Sequence, residues 1–202
     1  MTKDLTGIDQ DKAPSKKRGT LFLLVGPSGS GKGPLLKRLK DSYENDDRCV
    51  FPKRVITRAV NMPEEEHIHA TQESFSNAEE GDAFLFHWHT HGHKYGIPGH
   101  AYMELLAGRH VFLNVSRTIV EQARALYSPL VVFHIETELN TSFKRLKERG
   151  RESEEEIAQR LKRHDLPYPD GPDVIRIEKD GETDEAYQQA DKLIQQILEP
   201  TS

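Results

Sequence analysis

Cysteine is nearly absent from this 202-residue chain: Cys49 stands alone, so no internal disulfide is possible and a reducing compartment is the expected setting. Long apolar runs are missing too. None approaches the ~18 residues that span a bilayer, and no charged n-region followed by an apolar h-region opens the chain. No membrane association is therefore expected, and the cytoplasm is the expected location. Basic residues are not in excess, with 28 Lys and Arg against 33 Asp and Glu for a formal charge of −5, which excludes a generally basic protein that coats nucleic acid. The length suits one domain with a sizeable core, since domains usually run to ~100–200 residues. What is abundant is histidine. Four of the ten fall in His87-Trp88-His89-Thr90-His91-Gly92-His93. Strand alternation puts His87, His89, His91 and His93 on one face, a spacing able to bind zinc.

Residues 1–19 mix Lys, Asp, Ser and Pro with almost no periodic apolar content and are read as a disordered N-terminal extension. From residue 20 to 202 strand and helix patterns alternate within a single domain. Leu21–Val25 is a continuous apolar run of the kind a strand shows when both sheet faces are covered. Leu35, Leu36 and Leu39 follow at helical spacing. Val50–Ile56 predicts a second strand, with Pro52 marking an edge or a late start. His110–Val115 and Leu130–Ile135 are further buried-type strands, separated by a helix over about 117–126. The next helix ends at Arg149-Gly150, where glycine supplies a left-handed cap, and Ser153-Glu154-Glu155-Glu156 fits a capping box for a helix reaching about His164. After a loop over 167–172, Val174–Glu178 is the fifth strand. Ala186, Ala190, Leu193, Ile194, Ile197 and Leu198 stripe the last helix. Five strands alternating with helices predict an α/β fold, a five-stranded parallel core sheet with helices on both faces.

Between the first strand and the first helix stands Gly26-Pro27-Ser28-Gly29-Ser30-Gly31-Lys32, the context a phosphate-binding P-loop requires. Glycines let the backbone wrap so that successive N–H groups and the helix N-terminus face an anion, and Lys32 brings a mobile charge to the β- and γ-phosphates. A ligand-free glycine turn is the bland reading; spacing, lysine and context together favour the P-loop. Gly26 to Gly33 are thus expected to bind ATP in a P-loop nucleoside triphosphate hydrolase fold.

Two absences qualify that expectation. The residue after the lysine is normally Ser or Thr, whose hydroxyl holds Mg²⁺, and here it is Gly33. An Asp ending a buried strand is also missing, because the candidate strand ends in Leu113-Asn114-Val115-Ser116. No protein ligand to a metal is expected, and Mg²⁺ is expected to be held mainly through phosphates and water. The acidic run Glu64-Glu65-Glu66 is a weaker candidate, since charge runs in loops are usually solvated.

Arg145, Arg149 and Arg151 surround the end of one helix, and Arg160 and Arg163 sit on the next. Surface pairs such as Glu156 with Arg160 would explain some of them. A cationic lid over a triphosphate, at about 145–165, explains the set, because charge spreads over the equatorial oxygens during phosphoryl transfer.

With the P-loop, Ile56-Thr57-Arg58, Glu66-His67, Trp88, His91-Gly92, Tyr95-Gly96-Ile97-Pro98, Asn114-Val115-Ser116-Arg117, Gln122-Ala123-Arg124 and Arg149-Gly150-Arg151-Glu152, the chain resembles the guanylate kinase fold family. Within it, the chain is similar to the ribose 1,5-bisphosphate phosphokinases, from residue 20 almost to the end. The resemblance implies a small acceptor-binding insertion at about 57–100 and a helical lid. It implies ATP-dependent phosphorylation of ribose 1,5-bisphosphate to 5-phosphoribosyl 1-diphosphate, with ADP as coproduct, in phosphonate breakdown.

By the same resemblance Lys32, Arg58, Arg149 and Arg160 are catalytic and Arg145 helps bind the nucleotide. Arg58, His67, His91 and Tyr95 then meet the acceptor, and Asn114, Ser116 and Arg117 line its sugar side, so the histidine run becomes the floor of the acceptor pocket rather than a metal site. The acidic positions that read guanine in guanylate kinase correspond to Phe86 and Ser116, its second phosphate-binding arginine to Asn61 and a phosphate-binding tyrosine to His67. These departures count against the alternative of a nucleoside monophosphate kinase. An intact Gly31-Lys32 counts against a non-catalytic interaction module. A phosphosugar is the expected partner, no nucleic acid or membrane, and the chain is expected to be a monomer or homodimer.

Overall fold

Every residue of β1 (Leu21–Val25) is fully buried, which requires cover on both sheet faces and explains why the strand reads as an unbroken apolar run. The computed structural model describes residues 18–58, 66–90, 92–149, 154, 155, 157, 158, 167–178 and 183–199, with the backbone alone for Arg149 and Thr183. β1 is flanked by β7 (His110–Asn114) and β8 (Leu130–Glu136), both parallel to it. β2 (Cys49–Val50) pairs in parallel outside β7, and β9 (Val174–Glu178) outside β8, so the order is β2-β7-β1-β8-β9. This is the five-stranded parallel sheet expected from the sequence.

One face carries Phe22, Leu24, Phe112, Phe133 and Ile135 against α1 (Lys32–Tyr43) and the closing helix α6 (Thr183–Leu198), whose Ala186, Ala190 and Ile194 are buried. Phe51, Phe112, Phe22 and Phe133 form a continuous stack across it, with centroid spacings of 4.7, 4.5 and 5.8 Å. The other face packs Leu21, Leu23, Val25, Val111 and Leu113 against α3 (His100–Leu106) and α4 (Val120–Leu126), the latter entered through a 3₁₀ turn over Arg117–Ile119.

The strand expected over 50–56 is two strands. Phe51-Pro52-Lys53 breaks it, and β3 (Arg54–Ile56) joins a second, four-stranded sheet of order β4-β3-β6-β5. Proline cannot donate to a ladder, so the chain leaves one sheet there and enters another. β4 (His67–His69) runs parallel to β3. β5 (Phe84–Thr90) and β6 (His93–Pro98) form an antiparallel hairpin, and β6 is antiparallel to β3. α2 (Gln72–Glu80), capped by the Thr71 hydroxyl accepting from Ser74 N at 3.0 Å, packs on the hairpin through Phe75 stacked on Phe84 at 4.6 Å. Ile56, Phe86, Trp88, Tyr95 and Ile97 join the same core cluster as Leu21 and Leu113, so the insertion shares its core with the main sheet.

The fold also starts slightly earlier than expected. Gly19 N donates to Leu105 O at 3.0 Å, and the Tyr127 hydroxyl donates to Gly19 O at 2.7 Å; of the proposed extension, residues 1–17 lie outside the described residues.

Candidate active site

The turn after β1 takes its shape from glycines that no other residue replaces without strain. Gly26 has φ 149° and a Cβ there would lie 2.4 Å from Ile135 O; Gly29 has φ 82° and would meet Ser142 O at 2.9 Å. Gly31, at φ 88°, is the N-cap of α1. The loop is thus closed from outside by β8 and α5 (Leu139–Arg149), and its first-turn N–H groups are the unsatisfied donors that suit phosphate oxygens. Lys32 Nζ donates to Gly26 O at 2.9 Å, Pro27 O at 2.6 Å and Ser30 Oγ at 3.4 Å. The ammonium is held at the loop it serves.

Beside Gly33 opens a cavity of about 340 Å³ between α1, the Phe51-Pro52-Lys53 crossover and the end of β7. It brings Gly33 and Asn114 together with the cations Lys37, Lys40, Lys53 and Arg54 and the carboxylates Asp41, Glu44 and Glu66. Arg54 ties the two sheets across it: Nη1 donates to Asn114 O at 3.2 Å and the guanidinium lies 5.5 Å from the centre of the Tyr95 ring. Tyr95 stacks in turn on Trp88 at 5.4 Å. His67 is in register with Arg54 across β4 and β3. Arg58 Nε is buried and makes no hydrogen bond with the described residues.

Arg54, Lys40 and Lys53 were not among the sequence candidates. The visible signal was the alternation of Arg54, Ile56 and Arg58, which on a strand puts both guanidinium groups on the face of Ile56.

Some expected residues take other places. The Ser116 hydroxyl caps the 3₁₀ turn, accepting from Thr118 N at 3.3 Å. Arg117 is buried with its guanidinium 5.7 Å from the Tyr168 ring centre. Neither lines the cavity beside Gly33, nor do Arg58, His67 and Tyr95, of which Tyr95 reaches it only through its contact with Arg54. Of the lid arginines, Arg145 donates to Thr137 Oγ1 at 3.4 Å. The Arg149 side chain, Arg151, Arg160 and Arg163 lie outside the described residues, as do His91, Asn61, Glu64 and Glu65.

Strand alternation does put His87 and His89 on one face, but not the face of the acceptor segment. Both are exposed, while Phe86 and Trp88 point into the core. The two imidazoles therefore form no floor beneath Tyr95; they face Glu79 on α2.

The described residues do not fit a protein-held Mg²⁺. Gly33 brings no hydroxyl, and Asn114 brings no charge. Glu66 is claimed at one carboxylate oxygen by Lys40 and Lys53, each at 3.1 Å, which lowers its pKa. Asp41 is paired with Lys37 at 2.8 Å.

One buried histidine adjoins the site. His134 on β8 is fully buried, packs against Tyr168 at 4.9 Å, and neither ring nitrogen makes a hydrogen bond with the described residues. Nδ1 comes within 3.2 Å of Glu136 Oε1. Even so, burial first, then the charges of Arg117, Arg176 and Lys32, pull its pKa from 6.5 down to about 4. A base whose folded pKa is depressed contributes stability that is complete above the unfolded pKa and is lost as pH falls from about 6.5 to about 4. The drop of about 2.5 units corresponds to at most ~3 kcal/mol. His134→Leu, which leaves no polar partner stranded, should keep the pH 7 stability within ~1 kcal/mol and remove this acid-sensitive part. Urea unfolding at pH 7 and pH 4.5 checks it; equal acid sensitivity in both proteins would exclude His134 as the source.

Comparison with known proteins adds to this geometry. A family model described as guanylate kinase matches residues 18–197. A ribose 1,5-bisphosphate phosphokinase of Agrobacterium fabrum is 34% identical over 182 residues, covering 90% of this chain and 97% of the relative. A bifunctional ribose 1,5-bisphosphokinase-thymidine phosphorylase of Cupriavidus pinatubonensis is 34% identical over 169 residues, 84% of this chain, although the chain spans only 28% of that relative's length. Among solved structures, a guanylate kinase from Anaplasma phagocytophilum matches with a TM-score of 0.62 at 18% identity, covering 91% of this chain and 89% of the other, a likeness of fold. No described helix is long and apolar enough to cross a membrane.

Proposed function

Because the chain belongs to the guanylate kinase family, we propose that it transfers the γ-phosphoryl group of ATP to the 1-phosphate of ribose 1,5-bisphosphate, giving 5-phosphoribosyl 1-diphosphate and ADP. The observation that carries this reading is the cavity beside Gly33, where Arg54 joins Tyr95 of the insertion to Asn114 of the core. A doubly phosphorylated sugar brings two anions and little apolar surface, and a cavity of about 340 Å³ lined by Lys37, Lys40, Lys53 and Arg54 as well as Asp41, Glu44 and Glu66 is polar and roomy enough to take it. The names of the relatives favour the same acceptor over a nucleotide.

The chemistry asks little of acid–base groups. The nucleophile is an oxygen of the sugar 1-phosphate, already largely ionised at neutral pH because the second pKa of such a phosphate is about 6. One P–O bond forms to the γ-phosphorus as the bond to the ADP oxygen breaks, and no proton has to leave the nucleophile. Catalysis then consists of aligning two polyanions and offsetting their repulsion. The N–H groups of the P-loop and Lys32 hold the donor, Arg54, Arg58, His67 and Tyr95 hold the acceptor, and Arg145 with Arg149 and Arg160 cover the transferring group. No described residue is placed to hold magnesium, so the ion would be carried by the nucleotide phosphates and water and would there supply further charge neutralisation.

A guanine acceptor is disfavoured by the fully buried Phe86, which offers no carboxylate to a base N–H and amino group. Replacing Arg54 by methionine removes a charge-assisted contact worth about 1.5–3 kcal/mol, equivalent to roughly 10–100-fold. Arg54→Met is expected to raise the KM for ribose 1,5-bisphosphate by that factor with little change in kcat or in the KM for ATP, the pattern of lost ground-state binding. Steady-state ADP release measures all three. Turnover with GMP but not with the sugar bisphosphate would overturn the proposed acceptor.

A further inference from the structure

We propose that Glu79, His87 and His89 form a divalent transition-metal site, with zinc the best-suited ion, on the outer face of the β5–β6 hairpin. This site is separate from the phosphoryl-transfer cavity, since its residues leave the strand on the side opposite to Trp88. His87 and His89 are alternate residues of β5 and project together towards α2. The carboxylate they meet comes from the last turn of that helix: Glu79 Oε1 lies 2.9 Å from His87 Nδ1 and 3.2 Å from His89 Nε2. One ligand atom from each residue lies within 4.8 Å of the other two. Ligands at ~2.0–2.2 Å around a tetrahedral ion stand about 3.3 Å apart, so side-chain adjustment alone brings the three donors around one ion and leaves a fourth position for water.

The carboxylate is already oriented for this. Lys94 Nζ donates to Glu79 Oε2 at 3.1 Å and to Ser76 Oγ at 2.9 Å, which holds Oε2 and turns Oε1 to the imidazoles, the kind of outer support that metal-bound carboxylates use. Two imidazoles and one carboxylate select zinc, nickel or cobalt over magnesium, whose preference is for oxygen ligands and retained water. A bound ion would tie α2 to β5 and brace the hairpin whose inner face carries Trp88 and Tyr95.

The test is calorimetric titration of the full chain with zinc chloride, alongside the visible spectrum of the cobalt(II) form. Wild-type protein is expected to bind one zinc ion that magnesium chloride does not displace, and its cobalt form to show the intense bands of a four-coordinate site. His87→Ala combined with His89→Ala, both exposed positions, should weaken zinc binding at least 100-fold and remove the cobalt bands; Glu79→Gln should weaken binding at least tenfold. Ten histidines offer other chances for zinc to bind, so unchanged stoichiometry and affinity in the double variant would overturn the proposal. So would the absence of zinc binding by the wild type. Circular dichroism of the variants verifies folding, and Glu79→Gln reports on the same site with both histidines present.

Discussion

Lys32→Ala is expected to lower turnover by on the order of 10²–10³-fold, the range found when one preorganised charge-stabilising donor is removed from an active site. The side chain holds its ammonium against the loop, with Nζ on the carbonyls of Gly26 and Pro27, within reach of an anion that the loop's N–H groups would bind. Those contacts also mean a modest structural cost, about 1–3 kcal/mol for the lost hydrogen bonds, and no change of fold, because the loop's shape is set by its glycines and by β8 and α5. Single-turnover measurements with saturating ATP, paired with thermal unfolding, separate the two effects. A variant with near-normal turnover would remove Lys32 from the mechanism.

Gly26→Ala should have the larger effect on stability. At φ 149° a Cβ would sit 2.4 Å from the Ile135 carbonyl and 3.0 Å from Ser30 Oγ, and Ile135 is itself fully buried in a strand held between β1 and β9, so it cannot easily move aside. Strain at such a φ costs ~1–3 kcal/mol and overpacking a similar amount. A loss of about 3 kcal/mol, or roughly 6–12 °C in Tm for a chain of this size, is expected together with loss of nucleotide binding. Gly33→Ala is the matched control. Its added methyl meets nothing within 4 Å and lies in the first turn of α1, where alanine favours helix over glycine by up to ~1 kcal/mol. Differential scanning calorimetry should therefore show the two substitutions moving Tm in opposite directions.

The core sheet was legible in the sequence because its strands are buried on both faces: Leu21–Val25, His110–Asn114 and Leu130–Glu136 read as near-continuous apolar runs whatever surrounds them. The P-loop was legible because its chemistry is local, seven consecutive residues between a strand and a helix. The insertion was reached only through the family resemblance, and its strands were not legible from local pattern. β3 and β4 are three residues each, too short for a period to register, and Pro52 was read as an edge or a late start of one strand rather than as a change of sheet.

The site residues divide in the same way. Arg58, His67 and Tyr95 were reached through family resemblance, whereas Arg54 matters through Tyr95 and Asn114, 41 and 60 residues away, and no local pattern carries that information. The histidine run shows the limit most clearly. Alternation correctly put His87 and His89 on a common face, but His93 does not join them: the chain turns back after Thr90, and His93 opens β6 opposite Thr90, on the other face. Which face depends on the packing of Phe86 and Trp88, and the carboxylate that completes the cluster comes from a helix whose position the strand pattern does not encode.

The central claim is the identity of the acceptor and the atom that receives the phosphoryl group, and phosphorus NMR of a single reaction tests both. With ATP, Mg²⁺ and ribose 1,5-bisphosphate, the 1-phosphate resonance should disappear as two coupled diphosphate doublets and the ADP signals grow in, the 5-phosphate signal remaining throughout. GMP in its place should give no GDP. Diphosphate appearing only with GMP, or ATP consumed with the 1-phosphate signal intact, would contradict the account.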